Sequence, residues 1–325
     1  MREGFIMQHM IPPRVRPATR PVRSWAFDSA GWDDFPLRRD DIVISTYPKC
    51  GTTWMQRIVG MLVFGSPAPF PVQDSSPWPD FRLMPLEATM ALAEGQTHRR
   101  FIKSHLPFDA LPVHEGIKYI HVARDGRDAA MSFFNHKANY TAEAVELIGG
   151  IVRSDPKFGY TPRLVPSDPA THFHDWLVGD EDALGDPGAS FFTMEKSFWD
   201  ARSDPNLLLV HYNDLKADRM GEMRRIADFL DIAVPDDIWP DLVAAAGFDA
   251  MKAAADALLP AAGDIWEGGG RTFLHKGTNG RWRELYAPDD LALYDARVAA
   301  EFTPGLAAWV EKGRLATTDP RDAPD

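Results

Sequence analysis

The stretch Thr46-Tyr47-Pro48-Lys49-Cys50-Gly51-Thr52-Thr53-Trp54 sets a cation, a glycine and two hydroxyls where a strand should turn into a helix. Before it, Asp41–Ser45 is a short β-branched run that reads as a buried strand. After it, Met55, Ile58, Val59 and Leu62 recur at helical spacing. The first amides of such a helix have no intrahelical partner, and its dipole favours negative charge there. Gly51 lets the backbone approach a ligand, Thr52 and Thr53 add hydroxyl donors, and Lys49 adds a full charge. A phosphate is the expected ligand. The order is not that of the nucleotide-triphosphate loop G-x-x-x-x-G-K-[ST], because Lys49 precedes Gly51.

Other chemical groups also close strand-like runs. Lys103 and His105 sit at the end of Arg100–Pro107, Arg124 follows Lys118–Ala123, and Tyr212 ends Leu207–Tyr212. Strands alternating with helices predict an α/β fold, a single domain whose central parallel sheet is flanked by helices on both faces. Ligands of such sheets collect beyond the carboxyl ends of the strands, so Lys49, His105, Arg124 and Tyr212 are expected on one rim.

Helices are predicted over Pro85–Glu94, from Asp128 through Asn135, and over Ser190–Ala201, Met220–Leu230, Ile238–Ala246, Phe248–Leu258 and Pro288–Phe302. Residues 137–188 show little period and read as a long loop. The expected division is a Pro/Arg-rich arm over 1–24, the domain over 25–312 and an acidic tail over 313–325. A net charge of −12 argues against general nucleic-acid binding. A single cysteine excludes an intramolecular disulfide and fits a reducing compartment. No apolar run approaches a membrane span and none reads as a signal peptide, so a cytoplasmic location is expected. His172 and His174 lack the companions that a metal site needs, and no metal is expected.

Taken together, these segments resemble the cytosolic sulfotransferases that use 3′-phosphoadenosine 5′-phosphosulfate (PAPS). Tyr47–Trp54 resembles that family's 5′-phosphosulfate loop, Lys103–Pro107 its catalytic segment, and Val122 through Ser132 its 3′-phosphate segment. Tyr212-Asn213-Asp214 resembles its adenine-contacting tyrosine and acidic pair, and Lys276–Trp282 its late nucleotide-closing loop. The blocks run in family order from about residue 40 to 290. The resemblance implies a P-loop-kinase-like sulfotransferase fold and in-line transfer of a sulfuryl group from PAPS to a hydroxyl, leaving 3′,5′-bisphosphate (PAP). It implies His105 as general base, with Lys49 and Lys103 assisting at the reacting group. Donor contacts would come from Lys49, Cys50, Gly51, Thr52, Thr53, Trp54, Arg124, Ser132, Tyr212, Phe248, His275, Lys276 and Gly277. No metal would be required.

The chain departs from the family at three of these places. Asn213 replaces a usual Glu, His275 a usual Arg and Arg281 a usual Asp. The C-terminal part lacks the short dimer segment of animal members, which leaves oligomeric state open. Arg99–Lys103 fits the glycolipid sulfotransferases, so a small, apolar or lipid-like acceptor with a hydroxyl group is expected. Phe81, Phe108, Phe133, Phe134, Tyr140 and Phe173 are candidates for its pocket. Cys50, at a helix N-terminus beside Lys49, is expected to be a reactive thiolate or simply a small filler. Two other classes meet the same loop: a nucleotide kinase or NTPase-like phosphotransferase, and a non-catalytic nucleotide binder. The first lacks the Gly-Lys-Ser/Thr order and an acidic metal ligand after a strand. The second has no use for His105 beside Lys103.

Overall fold

The computed structural model of the chain describes residues 11–157, 164–179 and 186–324. Its strands are β1 (Arg14–Arg16), β2 (Ile42–Ser45), β3 (Phe101–Ser104), β4 (Val113–His114), β5 (Lys118–Ala123) and β6 (Leu207–His211). Four of them form one sheet in the order β3-β2-β5-β6, with every pair parallel. The chain leaves β2 for β3 on one side and then crosses to β5 on the other. The loops after β2 and β5 therefore diverge, and a crevice opens between them. Register keeps the rim level, because Ser45 stands opposite both Ser104 and His121, and Ala123 stands opposite His211.

Strand residues alternate between two cores. Ile42, Ile44, Ile120, Val122, Leu208 and Val210 face helices α1 (Thr52–Phe64) and α4 (Arg219–Phe229). Val43, Tyr119, Ala123, Leu207 and Leu209 face the opposite core, shared by α2 (Gly126–Lys137), α3 (Phe191–Asp200) and α5 (Pro304–Lys312). Both faces are covered, which is why Ile42–Ile44 and Leu207–Val210 read as unbroken apolar runs, whereas β3 and β5 carry Lys103 and His121 within theirs. Two polar pairs pin the sheet from inside. Asp41 and Arg100, just ahead of β2 and β3, are fully buried together. His121 of β5 stands 2.9 Å from the Ser45 carbonyl and 3.0 Å from Glu195, whose side chain is likewise buried. Leaving either partner of such a pair alone in the core would be costly.

Between residues 137 and 188 the structure differs from the expected loop. It holds helices Ala142–Ser154 and Pro169–Val178, started by the side-chain caps Thr141 and Asp168. Gly149-Gly150 interrupts the apolar period of the first, and polar Thr171, His172, His174 and Asp175 obscure that of the second. Burial of Phe173, Trp176 and Leu177 overrides those weak local signals. The predicted Phe248–Leu258 helix breaks into Phe248–Ala253 and Ala255–Leu258. Helix α5 lies beyond the last predicted helix, and after it the Arg314 and Leu315 amides donate to Asp214 while the Arg314 guanidinium pairs with Glu222. At the other end β1 pairs antiparallel with β4, and Arg20 forks onto both oxygens of Asp109 at 2.8 Å. Residues 1–10 of the arm, parts of the 137–188 stretch and Asp325 lie outside the described residues. Among the described residues no helix is long and apolar enough to cross a membrane.

Candidate active site

Helix α1 is preceded by Gly51 with φ +115°, and no side chain caps its first-turn amides. That leaves backbone N–H groups of Thr52 and its neighbours facing the crevice. Gly51 is required twice over. Its φ lies in the left-handed region, and a Cβ there would stand 3.2 Å from the Tyr212 ring. Lys49 carries φ +72°, one of two non-glycine residues with positive φ among the described residues, so the loop holds strain at this turn. Thr52 turns its hydroxyl to Thr46 Oγ1 at 2.5 Å, while Thr53 stays half-buried.

Three cations converge on this loop, and each lies on an aromatic face. Lys49 Nζ is 4.1 Å from the Phe273 ring centre and Lys103 Nζ is 3.3 Å from that of Trp78. Arg124 lies 4.3 Å above Tyr212, whose edge meets Trp54. Burial lowers the Lys49 and Lys103 amines to about 7, helped by Arg124 at Lys49 and by Lys49 at Lys103, where Asp80 pulls the other way. Arg124 donates to the Lys49 carbonyl at 3.1 Å and to Asn279 Oδ1 at 2.7 Å, tying the loop after β5 to the 275–280 segment. That segment is fixed further by Lys216 donating to the Gly277 carbonyl at 3.0 Å and by Gly280 N–H donating to Asp128 at 2.7 Å.

His105 sits just beyond β3, between the rings of Phe27 and Trp78 at 5.1 and 5.0 Å. Its Nδ1 is 2.6 Å from the Thr46 carbonyl. A carbonyl only accepts, so Nδ1 carries the proton and Nε2 is left bare. Burial, then Lys103 and Lys49, hold the imidazole well below its ordinary pKa, so it is neutral. Asp80 accepts the His105 amide at 3.2 Å and the indole N–H groups of Trp32 and Trp78 at 2.9 and 3.1 Å, which fixes the wall behind His105.

Other expectations meet different fates. Cys50 is not a reactive thiolate: its side chain is fully buried in the core, and burial together with Glu195 pushes its pKa well above the ordinary value. The helix dipole and Lys49 do not offset that desolvation, so the small-filler reading stands. Phe248 packs directly against Gly277, where a Cβ would come within 2.4 Å of its ring. His275 has a buried Nε2 without a partner, among Arg281, Lys276, Lys252 and Lys49, and burial and these cations lower its pKa. Ser132 is half-buried on α2, and Lys276 is exposed. Of the pocket candidates, Phe108 and Phe173 belong to the core, packed on Tyr119 and Tyr286, and Phe133 is buried as well. Phe81 stacks 3.9 Å from Trp78, and Tyr140 lies 5.3 Å from the His136 ring. Sequence reasoning missed Trp78, Asp80, Trp266, Phe273 and above all His136, whose Nδ1 is 3.2 Å from Lys49 Nζ. Only their aromatic or polar type, in unpatterned stretches, could have flagged them.

A loop of uncapped amides, three convergent cations and an unpartnered buried imidazole nitrogen fit an anion with more than one charged group. Residues 39–303 match the family described as "Sulfotransferase domain". The chain belongs to the sulfotransferase family. It is 34% identical over 315 residues to a glycolipid sulfotransferase of Mycobacterium bovis, covering 90% of this chain and 94% of that one. It is 25% identical over 310 residues to sulfotransferase 1A1 of Rattus norvegicus, covering 91% and 97%. Among solved structures, a mouse sulfotransferase complexed with PAP superposes with TM-score 0.62 at 21% identity, over 86% of this chain and 90% of that one. A retinol dehydratase complexed with retinol and PAP gives 0.61 at 21%, over 83% and 84%. The chain therefore has the sulfotransferase fold, and it is an enzyme of that class.

Proposed function

We propose that this sulfotransferase moves the sulfuryl group of PAPS to a hydroxyl of a small glycolipid-like acceptor, with His105 as general base. The observation that carries the reading is the neutral, tautomer-fixed His105 beside Lys103 and Lys49 at the mouth of the uncapped helix. When bound, PAPS supplies a transferable sulfuryl group on a phosphate leaving group. Lys49, the α1 amides and the Thr53 hydroxyl would hold its 5′ end, and Arg124, Ser132, His275, Lys276 and Gly277 its 3′-phosphate. Trp54 and Tyr212 would border the adenine.

The bare Nε2 of His105 takes the proton of the acceptor hydroxyl, while Nδ1–H stays on the Thr46 carbonyl through the transfer. Burial, then Lys103 and Lys49, depress the His105 pKa in the donor-free protein. A bound anion offsets those charges and raises the imidazole toward the neutral range, where a base works best. Lys49 and Lys103 place positive charge where negative charge develops, in a pocket that excludes water. Trp78, Phe81, Phe27, Tyr140, Trp266 and Phe273 give the crevice apolar faces suited to the sugar and lipid portions of an acceptor. The glycolipid sulfotransferase among the relatives supports that choice. The chain division into arm, catalytic domain and tail, with the catalytic portion over 25–312, is part of the same proposal, as is a cytoplasmic site of action.

The test compares wild type with His105→Ala, using PAPS and a short-chain alkyl glucoside or glycolipid acceptor. Transfer should fall about 10²–10⁴-fold while PAP affinity changes little. Full activity in the variant would remove His105 from the reaction.

A further inference from the structure

Lys49 meets a residue that none of the sequence motifs assigns to the site. His136 lies on α2, four residues after Ser132, so the two project from the same helix face toward the crevice. Its Nδ1 stands 3.2 Å from Lys49 Nζ, and its ring packs among Trp266, Tyr140 and Phe273 at 4.9, 5.3 and 5.8 Å. Its backbone carbonyl accepts from the Trp266 indole N–H at 3.2 Å, so Trp266 holds both ring and backbone. We propose that His136 is a positioning residue for Lys49, its neutral imidazole accepting an N–H of the ammonium and holding it at the mouth of the phosphate loop. This rests on the donor-site reading given above.

Charge explains why Lys49 needs such a partner. The groups that face it are cations or neutral imidazoles: Arg124 beyond β5, Lys103 and His105 at the end of β3, His136 on α2 and His275 on the 275–280 segment. Mutual repulsion with Arg124 and Lys103 would swing a free lysine outward. No carboxylate is among the groups that shift Lys49. What holds the amine in is the face of Phe273 and a lone pair on His136. Because an ammonium offers only N–H donors, the facing Nδ1 of His136 acts as the acceptor, and burial, then Lys49, Lys103, His105 and Lys137, keep the ring from protonating. An ammonium has three N–H donors, so one can stay on His136 while the others meet an anion in the loop.

The test uses the full-length protein, His136→Phe, His136→Gln and Lys49→Met, with PAP as the probe. PAP affinity is measured by calorimetry from pH 6 to 9, and folding of each variant by circular dichroism. His136→Phe removes the acceptor and keeps an aromatic ring. It should weaken PAP at pH 8 by about 10-fold or more, in line with loss of a charge-assisted hydrogen bond. Its loss of affinity with rising pH should also begin at lower pH, because the ammonium has lost its stabiliser. The amide oxygen of His136→Gln can accept in turn and should restore most of the affinity. In a Lys49→Met background His136→Phe should have little further effect, which a purely structural role would not produce. A His136→Phe protein with wild-type affinity and pH curve overturns the proposal, as does a folded His136→Gln as weak as His136→Phe or an unchanged effect in the Lys49→Met background. If the wild type itself fails to bind PAP, the donor-site reading falls first and the proposal falls with it.

Discussion

Two lysines buried to a pKa of about 7 make a quantitative demand on donor binding. In the free protein Lys49 and Lys103 are half-charged near pH 7. A dianion bound beside them favours the ammonium, so binding must take up protons and affinity must fall as pH rises through the free-protein value. At pH 8 a group of pKa 7 is only about one-tenth protonated. If the complex returns each lysine toward the ordinary value of about 10.4, uptake approaches ~0.9 proton per lysine. Affinity should drop roughly fivefold per lysine between pH 7 and 8, and about 30-fold for the pair. The two amines repel each other, so the steps belong to the pair rather than to either residue. Calorimetry of PAP binding at pH 8, in two buffers of different ionisation enthalpy, reads the uptake directly. The ligand's phosphates, with second pKa values of about 6, contribute little at that pH. Arg in place of either lysine should remove about half the uptake, since guanidinium stays charged. Tight PAP binding at pH 8 with no proton uptake would refute the argument, because the lysines would then be charged before the anion arrives or remote from it.

Arg124→Ala should weaken PAP at least 10-fold more than 5′-AMP, with a smaller differential for Ser132→Ala, and equal losses for both nucleotides would place these residues away from the 3′-phosphate. His275, depressed by burial and four cations, should charge when its unpartnered Nε2 meets an anion. PAP should therefore gain an added affinity at low pH that fades as pH rises through the complexed value, and His275→Arg should flatten it; the same pH curve in variant and wild type would exclude the contact. Cys50 is buried with a raised pKa, so iodoacetamide should label the native protein slowly and at the same rate with or without PAP. Rapid labelling that PAP suppresses would mean that the thiol reaches the crevice after all.

The sheet was legible because its strands are buried on both faces, and Ile42–Ile44 and Leu207–Val210 carry no polar interruption. The rim followed from topology: residues that end parallel strands must meet, whatever the details of the loops. Lys49, Lys103, His105 and Arg124 were placed that way. What escaped the sequence were partners set by packing rather than by spacing. His136 lies 87 residues from Lys49 and Asn279 155 residues from Arg124, and nothing local marks either pairing. The same limit explains Cys50. Local sequence showed a helix N-terminus and a neighbouring lysine, both of which favour thiolate. Whether the sulfur faces the crevice or the core depends on the turn at Lys49 and Gly51, and the positive φ of both residues sends it inward.

Those two backbone angles connect strain to chemistry. A lysine at φ +72° followed by a glycine at φ +115° is an unfavourable local conformation, with a cost of order 1–3 kcal/mol for the lysine alone. It is held by Tyr212 and Val122 against Gly51 on one side and by Arg124 on the Lys49 carbonyl on the other. The result leaves the α1 amides bare and turns the lysine toward Lys103, where it meets like charge. Backbone strain and cation repulsion thus fall on the same few residues, in a protein whose net charge is −12. Both penalties exist in the free protein, and the repulsion would ease when negative charge enters the loop. A sheet pinned by buried Asp41–Arg100 and His121–Glu195 is rigid enough to hold that arrangement in the free protein. On the proposed reading the site recognises an anion through the cation repulsion that the anion would relieve, with Arg124 and His275 as the groups proposed for the 3′-phosphate.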